Sequence, residues 1–249
     1  MLRGYDSHKP GGYLRNVGIV ETKIRHDEIS TNGGIMARNP WWAPWVLSKL
    51  IEPMMRSLMV QVPEIAGMQV GDRALDVCCG TGGLALLYAE MGVIATGIDI
   101  DPRVIEVAQK KRIESDLSNT SFTTANALNL PFEDNSFDYV SISMSIHEVK
   151  RGHRDTIISE MKRVVRDEGG LVFIDYMVPM PRIPSSWAAK FTEYLSGREH
   201  HECFRDYVEQ EGLVGLLRRH HLSGEKKSEL RPMELVLAKN VKANRGVAG

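Results

Sequence analysis

A run of apolar residues that leads into a cluster of glycines and then into a helical pattern, at residues 74–84, constrains the fold more than any other segment. Its sequence is ALDVCCGTGGL. Glycines allow sharp turns and close backbone approaches, and the first N–H groups of a helix are free to bind a ligand. The segment therefore predicts a buried strand, a glycine-rich turn and a helix, with a ligand site at the turn.

Short β-rich runs alternate with helical segments from residue 71 onward. Strands are predicted at residues 73–78, 93–100, 121–125, 138–145, 171–178 and 233–239. Helices are predicted at residues 84–91, from Asp101 onward, and at residues 154–166, 187–195 and 204–217; we expect Gly169 and Gly170 to stop the helix over 154–166. This alternation is typical of βαβ units, and it predicts an α/β fold built on a parallel sheet.

The N-terminal part of the chain differs in character from the rest. Residues 1–40 are rich in glycine and polar residues without a sustained period, so we predict an extended arm there. Beyond them, Trp41, Trp42 and Trp45 open a helical pattern rich in methionine, which Pro53 should kink or split. We interpret this stretch first as core or a homodimer interface, second as a substrate cap and third as a membrane-surface helix.

These patterns divide the chain into two parts. The first is an N-terminal arm with a helical cap at residues 1–70. The second is a ligand-binding domain at residues 71–240, with a helical insertion at about 184–217. We hypothesise that the tryptophan-rich stretch packs with the insertion across the carboxyl ends of the strands, as a hydrophobic lid over a substrate pocket.

Charge and composition exclude several classes of protein. Lys plus Arg number 31 against 32 for Asp plus Glu, a balance that argues against binding to a nucleic-acid backbone. The chain has no apolar run of membrane-spanning length and does not open with a signal peptide, so we expect a cytoplasmic protein without integral membrane association. Its three cysteines lack C-x-x-C spacing and its histidine pairs are adjacent in sequence, so we expect no metal site.

Two ligand classes fit the glycine-rich turn. Gly80, Gly82 and Ala85 satisfy the G-x-G-x-x-A pattern, and Asp99 follows about twenty residues later, as in dinucleotide sites, so a nicotinamide enzyme stays open. Asp76, however, should direct a carboxylate toward the turn, where it would repel a pyrophosphate. A cationic ligand suits the turn better, and the ammonium and sulfonium groups of S-adenosylmethionine make it such a ligand.

Several motifs in the right order resemble one family, the class I S-adenosylmethionine-dependent methyltransferases. The resemblance is to the small-molecule branch similar to the ubiquinone and menaquinone biosynthesis methyltransferases. The matching segments are residues 75–82, 98–100, 126–138, 146–148 and 160–170, with weaker similarity at 204–207 and 212–213. The resemblance implies a Rossmann-like, doubly wound and mostly parallel seven-stranded sheet with an antiparallel last strand, plus N-terminal and C-terminal helical caps. It also implies S-adenosylmethionine as the cofactor.

The resemblance further implies what individual residues do. Its cofactor-binding residues are Asp76 for the methionyl ammonium, Gly80 and Gly82 for close backbone contact, Asp99 for the ribose hydroxyls, Ile100 for the adenine face, Asn126 and Ala127 for the adenine edge, and Ser143 and Met144 for the methionine portion. The chain departs from the family pattern at two of its positions. Cys78 replaces the first glycine of the turn, and its side chain must point away from the cofactor or narrow the site. Asn126 replaces an aspartate, although its amide oxygen can still accept a hydrogen bond.

Transfer of a methyl group from a sulfonium is an in-line displacement that depends mainly on proximity and orientation. A base is needed only where the acceptor must lose a proton. His147 and Glu148 are the nearest candidates for that role, and His147 is equally well read as a histidine that closes a strand. His200, His201 and Tyr207 are outside candidates.

Three functional classes follow. The first is a methyltransferase for a small, partly apolar acceptor, which the tryptophans and methionines of residues 41–59 would line or cover. The second is an RNA or protein methyltransferase, which should have a basic rim; the chain offers only residues 110–112 and 218–219 as short basic clusters. The third is a protein that binds S-adenosylmethionine without turnover, for which the changes at Cys78 and Asn126 are the sole indication.

Overall fold

The computed structural model describes residues 48–49 and 52–242. The predicted arm at residues 1–40 and the stretch with Trp41, Trp42 and Trp45 lie outside the described residues. Eight α-helices and seven strands follow one another in the described part. They are α1 (Glu52–Met59), α2 (Val62–Ala66), β1 (Arg73–Val77), α3 (Gly83–Glu90), β2 (Ile94–Asp99), α4 (Pro102–Glu114), β3 (Thr120–Thr124), β4 (Phe137–Ser143), α5 (Arg151–Val164), β5 (Val165–Tyr176), α6 (Pro184–Leu195), α7 (Arg198–Glu209), α8 (Gly212–Arg219), β6 (Gly224–Leu230) and β7 (Met233–Lys239).

The seven strands form one sheet in the order β3-β2-β1-β4-β5-β7-β6. The strands from β1 to β5 pair in parallel, and β7 runs antiparallel to both of its neighbours, β5 and β6. The order turns outward in both directions from β1 and β4, so their carboxyl ends flank the crevice where open α/β sheets bind ligands. This architecture confirms the predicted Rossmann-like, mostly parallel sheet of seven strands.

Apolar side chains from both faces of the sheet form one continuous core. Leu75 and Val77 of β1 are fully buried, as are Val140 of β4 and Phe173 of β5, because helices cover both faces of these central strands. Helix α1 joins the core through Met55 and packs against β6 and α3. Pro53 lies in the first turn of α1, where a proline is tolerated. Residues 50 and 51 lie outside the described residues, so the predicted kink or split at Pro53 stays a prediction.

Two sequence predictions about element boundaries were wrong, and one strand was not predicted. Gly169 and Gly170 do not follow a helix; they lie inside β5, where a side chain at Gly170 would overlap the ring of Tyr139. The single helix predicted at 204–217 is two helices, because Glu211 adopts a left-handed conformation between α7 and α8. Strand β6 was missed altogether.

Candidate active site

The glycine-rich turn occupies residues 78–82 between β1 and α3. The Cys79 N–H donates a hydrogen bond to the carbonyl oxygen of Ile98, at 2.8 Å, and so holds the turn against β2. Gly80 has a φ of +54° with open space where a side chain would project, and its N–H donates to Oδ2 of Asp99, at 3.0 Å. The turn and the end of β2 therefore form one rigid unit.

Gly82 serves packing within this unit. A Cβ atom at Gly82 would lie 2.7 Å from the Phe122 ring and 3.0 Å from the Cβ of Ala108, and the φ of Gly82 is +82°. The absent side chain thus makes room for the ring of Phe122, which joins β3 to the turn. The predicted contact between Gly82 and a cofactor stays a prediction.

Cys78 occupies the turn in a conformation that favours glycine, with a φ of +55°. The residue lines the pocket described below. Burial, together with the nearby Asp99 and Asp76, raises the pKa of the Cys78 thiol well above its ordinary value. The side chain therefore stays a neutral thiol, which lines the pocket and does not serve as a nucleophile.

A pocket of about 270 Å³, which includes space open to solvent, lies beyond the carboxyl ends of β1, β2 and β3. Its lining residues are Cys78, Ile98, Asp99, Ile100, Ala125, Asn126, Ala127 and Ile157. Five predicted cofactor-binding residues thus come together in one pocket: Cys78, Asp99, Ile100, Asn126 and Ala127. Asp101, next to the pocket, caps α4 by accepting a hydrogen bond from the Arg103 N–H.

Asn126 holds its own loop through a local hydrogen bond. Its Oδ1 atom accepts from the Leu128 N–H at 2.8 Å, the arrangement of an Asx turn. An amide oxygen has two lone pairs, so one remains for a ligand.

Asp76 lies beneath the turn and is almost completely buried. The hydroxyl of Ser141 on β4 donates to its Oδ1 atom, at 2.8 Å. Burial is the largest cause that raises the pKa of Asp76, to about 7, and it likewise raises the pKa of Asp99 to about 6. Each aspartate is costly to ionise in the absence of a cation, so this part of the site favours a positively charged ligand.

Sequence reasoning missed Glu52 at this site. Its carboxylate bonds the hydroxyl of Thr81 in the glycine-rich turn and the ammonium group of Lys111 on α4. Helix α1 therefore braces the turn from outside the βαβ unit. No local pattern around Glu52 could have indicated this, because the three residues meet only through the fold.

His147 and Glu148 belong to a 3₁₀ turn, Ile146–Glu148, that follows β4. Nδ1 of His147 lies 2.6 Å from Oδ1 of Asp175 on β5, and its Nε2 lies 3.6 Å from Glu193 on α6 and 3.7 Å from Glu148. Burial alone lowers the pKa of His147, but the charges of Asp175 and Glu193 outweigh burial and raise the pKa well above its ordinary value. His147 is therefore held as a cation among acids, which is the opposite of what a general base needs.

Glu148 is the better placed base. Its side chain is 23% exposed, unlike the fully buried ring of His147. Burial raises the pKa of Glu148 to about 7; the His147 charge opposes this rise, and the charges of Glu193, Asp175 and Asp99 add to it. A carboxyl group with this pKa can accept a proton near neutral pH.

Ser143 and Met144 link β4 to this turn. Met144 has a φ of +51°, and its N–H donates to the carbonyl oxygen of Ile174 at 2.7 Å. The Ser143 hydroxyl is buried and has no hydrogen-bond partner among the described residues. Both stand at the carboxyl end of β4, where the sequence placed them, and their contact with the methionine portion of a cofactor stays a prediction.

Asp175, Glu193 and Arg154 are further residues that sequence reasoning missed. Arg154 is fully buried on α5 and donates to the carbonyl oxygens of Ile146 and Val149, at 3.1 and 2.9 Å, and to that of Cys203, at 2.7 Å. It thus ties the 3₁₀ turn to α7. No sequence signal indicated its burial, because Arg154 stands among polar and charged residues at the start of the predicted helix.

The sheet order, the glycine-rich turn bonded to the acid that ends β2, and the pocket over β1 to β3 are typical of class I S-adenosylmethionine-dependent methyltransferase domains. Residues 74–169 match the family described as "Methyltransferase domain". The domain is similar to the methyltransferases of menaquinone and ubiquinone biosynthesis.

Relatives with this similarity include two bacterial proteins named demethylmenaquinone methyltransferase. That of Listeria monocytogenes serotype 4a (strain HCC23) is 37% identical over 132 residues, which cover 51% of this chain and 53% of the relative. That of Oceanobacillus iheyensis is 35% identical over 116 residues, which cover 45% and 48%. The chain thus spans about half the length of the curated relatives it matches.

Solved structures share the fold at low sequence identity. A SAM-dependent methyltransferase from Aquifex aeolicus superposes with a TM-score of 0.62 at 21% identity, covering 80% of this chain and 98% of that one. Phosphoethanolamine N-methyltransferase 2 of Haemonchus contortus, solved in complex with S-adenosyl-L-methionine, superposes with a TM-score of 0.58 at 17% identity. The superposition covers 80% of this chain and 60% of that one.

Proposed function

We propose that this protein transfers a methyl group from S-adenosylmethionine to a small, partly apolar acceptor molecule. The observation that carries the proposal is the Asp99 carboxylate, fixed by the Gly80 N–H at the end of β2 and lining a pocket with Ile100 and Asn126. The relatives named demethylmenaquinone methyltransferase support an organic small molecule as the acceptor.

The residues present fit this cofactor. Asp99 offers acceptor oxygens for ribose hydroxyls, Ile100 an apolar surface for adenine, and Asn126 and Ala127 the edge of that surface. Asp76, with its pKa raised to about 7 by burial, would gain a partner from an ammonium group. We assign Gly80 and Gly82 to close backbone contact, and Ser143 and Met144 to the methionine portion, on the resemblance alone.

When bound, S-adenosylmethionine supplies an electrophilic methyl group on a sulfonium. The chain's own contribution is to hold both partners in line and to keep water out. Glu148 accepts a proton from the acceptor where the reaction needs one, and His147 stabilises the ionised Glu148 through its positive charge. The tyrosines Tyr176 and Tyr207, with Phe204, surround His147 at ring-centroid distances of 4.8, 6.3 and 6.2 Å and give this region an apolar wall.

Isothermal titration with S-adenosylhomocysteine, S-adenosylmethionine and NAD tests the cofactor part of the proposal. We expect both adenosyl compounds to bind and NAD not to bind, because Asp76 would repel its pyrophosphate. Binding of NAD with none of S-adenosylhomocysteine would overturn the assignment.

We further infer a cytoplasmic homodimer with the helices α6 to α8 as a cap on the domain of residues 71–240. An exposed apolar stripe supports the dimer: Trp187, Phe191 and Tyr194 recur on one face of α6 and are 61–67% exposed. No helix within the described residues is long and apolar enough to cross a membrane. Sedimentation velocity on the protein and on Phe191→Glu tests the dimer, since the charge should yield a monomer if this stripe forms the interface.

A further inference from the structure

The imidazole of His200, on α7, is buried. Only 4% of the residue is exposed, and neither Nδ1 nor Nε2 has a partner among the described residues. A buried polar group without a partner is costly, and most such groups in folded proteins are satisfied. A histidine that has two unmet nitrogens is therefore a candidate for contact with a ligand.

His200 stands next to the cluster around His147. Its charged neighbours are Glu193, His147 and Glu199, and its own burial is the main cause of a lowered pKa. Glu193, on the preceding helix α6, faces His147 at 3.6 Å and accepts a hydrogen bond from the Tyr176 hydroxyl. His200 thus belongs to the inner side of the cap, facing the 3₁₀ turn that carries Glu148.

A second unmet group lies on the inner face of the cap. The hydroxyl of Ser186 on α6 is buried and has no partner in the described part of the chain. Ser186 precedes Glu193 by two helical turns, so both side chains share the buried face of α6. Unmet polar atoms on two cap helices, α6 and α7, point to a ligand that the cap closes over.

The chemistry of the cluster limits what that ligand can be. A neutral imidazole presents one donor and one acceptor, which together match a hydroxyl group. Glu193 and Asp175 bring two negative charges against the single positive charge of His147, and Glu148 adds another when it is ionised. The net negative charge would repel a carboxylate or a phosphate. The rings of Tyr176 and Phe204 add an apolar wall.

We propose that His200 binds the methyl acceptor by hydrogen-bonding an uncharged hydroxyl group, and that the surrounding carboxylates exclude anionic acceptors. This proposal rests on the proposed function, because it places the acceptor between the cap and Glu148. His200 acts here as a binding residue; Glu148 remains the base.

Three probes of one shape, offered to the full-length protein saturated with S-adenosylhomocysteine, test the proposal. 1-Naphthol carries a hydroxyl, naphthalene none, and 1-naphthoate a negative charge. Calorimetry should show that 1-naphthol binds more tightly than naphthalene and that 1-naphthoate does not bind. In protein with ¹³C-labelled histidine, 1-naphthol should shift the His200 ring signal, a readout that needs no variant beyond the one used for assignment.

His200→Leu should weaken 1-naphthol binding about three- to tenfold and leave naphthalene unaffected, as expected for the loss of one hydrogen bond. His221→Leu, at an exposed histidine after α8, is the matched control and should leave the affinities for 1-naphthol and for naphthalene unchanged. Binding of 1-naphthoate as tight as that of 1-naphthol, an unmoved His200 signal, or no binding of 1-naphthol at millimolar concentration would each overturn the proposal. Failure of S-adenosylhomocysteine to bind would instead refute the proposed function.

Discussion

Nδ1 of His147 and Oδ1 of Asp175 lie 2.6 Å apart, and both side chains are 2% exposed. Because both side chains are buried, water does not screen the ion pair that this histidine and aspartate form. The pair joins the turn after β4 to β5, at the carboxyl edge of the sheet. It therefore fixes the position of the neighbouring Glu148.

Asp175→Asn should lower the free energy of unfolding by about 3 kcal/mol at pH 7, because it leaves a buried charge without its partner. The pKa of His147 is raised in the folded state, so its contribution to stability is complete below the unfolded pKa and is lost as pH rises through the folded value. The difference between the two proteins should shrink in alkaline solution. Urea denaturation at several pH values measures it.

A second histidine–aspartate pair provides the control. Asp155 accepts from Nε2 of His220 at 3.0 Å, but the Asp155 side chain is 49% exposed. Asp155→Asn should lower the free energy of unfolding by less than about 1 kcal/mol, since exposed ion pairs contribute little to stability. Equal losses in the two variants would contradict the importance of the buried pair.

Asp99→Ala should weaken the affinity for S-adenosylhomocysteine at least about tenfold, because hydrogen bonds to a charged group contribute about 1.5–3 kcal/mol. The pKa of Asp99 is raised to about 6, and its ionised form is the better acceptor, so wild-type affinity should rise as pH increases through about 6. This rise should be missing in the variant. Asp101→Ala, which removes the cap of α4 and the ion pair with Arg103, should keep the affinity. The rise with pH should remain but move to lower pH, because the Asp101 charge contributes to raising the pKa of Asp99.

Glu148→Gln should reduce methyl transfer by about 10²–10⁴-fold for an acceptor that loses a proton, the usual contribution of a general base. The wild-type rate should rise with pH through about 7, since Glu148 must be ionised to act. The dissociation constant of S-adenosylhomocysteine should stay within about threefold. A variant with an unchanged rate and an unchanged pH profile would remove Glu148 from the mechanism; Glu199→Gln, on the surface of α7, is the control.

Gly82→Ala should destabilise the fold by roughly 2 kcal/mol or more, because the added methyl group meets the Phe122 ring and a left-handed backbone is unfavourable with a side chain. Gly152→Ala, on α5 with nothing within 4 Å of its new methyl group, should leave stability unchanged or raise it by up to about 1 kcal/mol. Thermal unfolding of both variants measures the difference. Equal stability of the two variants would contradict a packing role for Gly82.

The sequence predicted most of the sheet because its strands are apolar runs. Strand β6 escaped because it is an edge strand of sequence GEKKSEL with mostly exposed side chains, so it lacks the apolar pattern of a buried strand. Helix α1 belongs to the stretch interpreted from the sequence first as core or a homodimer interface; its Met55 is completely buried and its Glu52 contacts the glycine-rich turn. The part of that stretch before residue 48 lies outside the described residues.

The sequence motifs also located the pocket, since Asp99, Ile100 and Asn126 follow strands whose carboxyl ends must meet at one sheet edge. They could not indicate the partners of His147. Asp175 is 28 residues away inside a buried strand, where an isolated acid gives no sign of what it faces. Glu193 comes from an inserted helix whose orientation no local pattern determines.

Arg154 is the last residue for which the structure makes a sharp prediction. Its guanidinium donates to three carbonyl oxygens and to Asp206, 2.8 Å away, and so uses N–H groups on all three of its nitrogens. Arg154→Lys keeps the charge but cannot reproduce these bonds, so several buried carbonyl groups lose their donor. We expect a loss of about 3 kcal/mol in the free energy of unfolding.

Arg151→Lys, whose side chain is 64% exposed, should change stability by less than about 0.5 kcal/mol. Because Arg154 ties the turn of His147 and Glu148 to α7, its substitution should also broaden the His147 NMR signals, whereas a merely local role would leave them sharp.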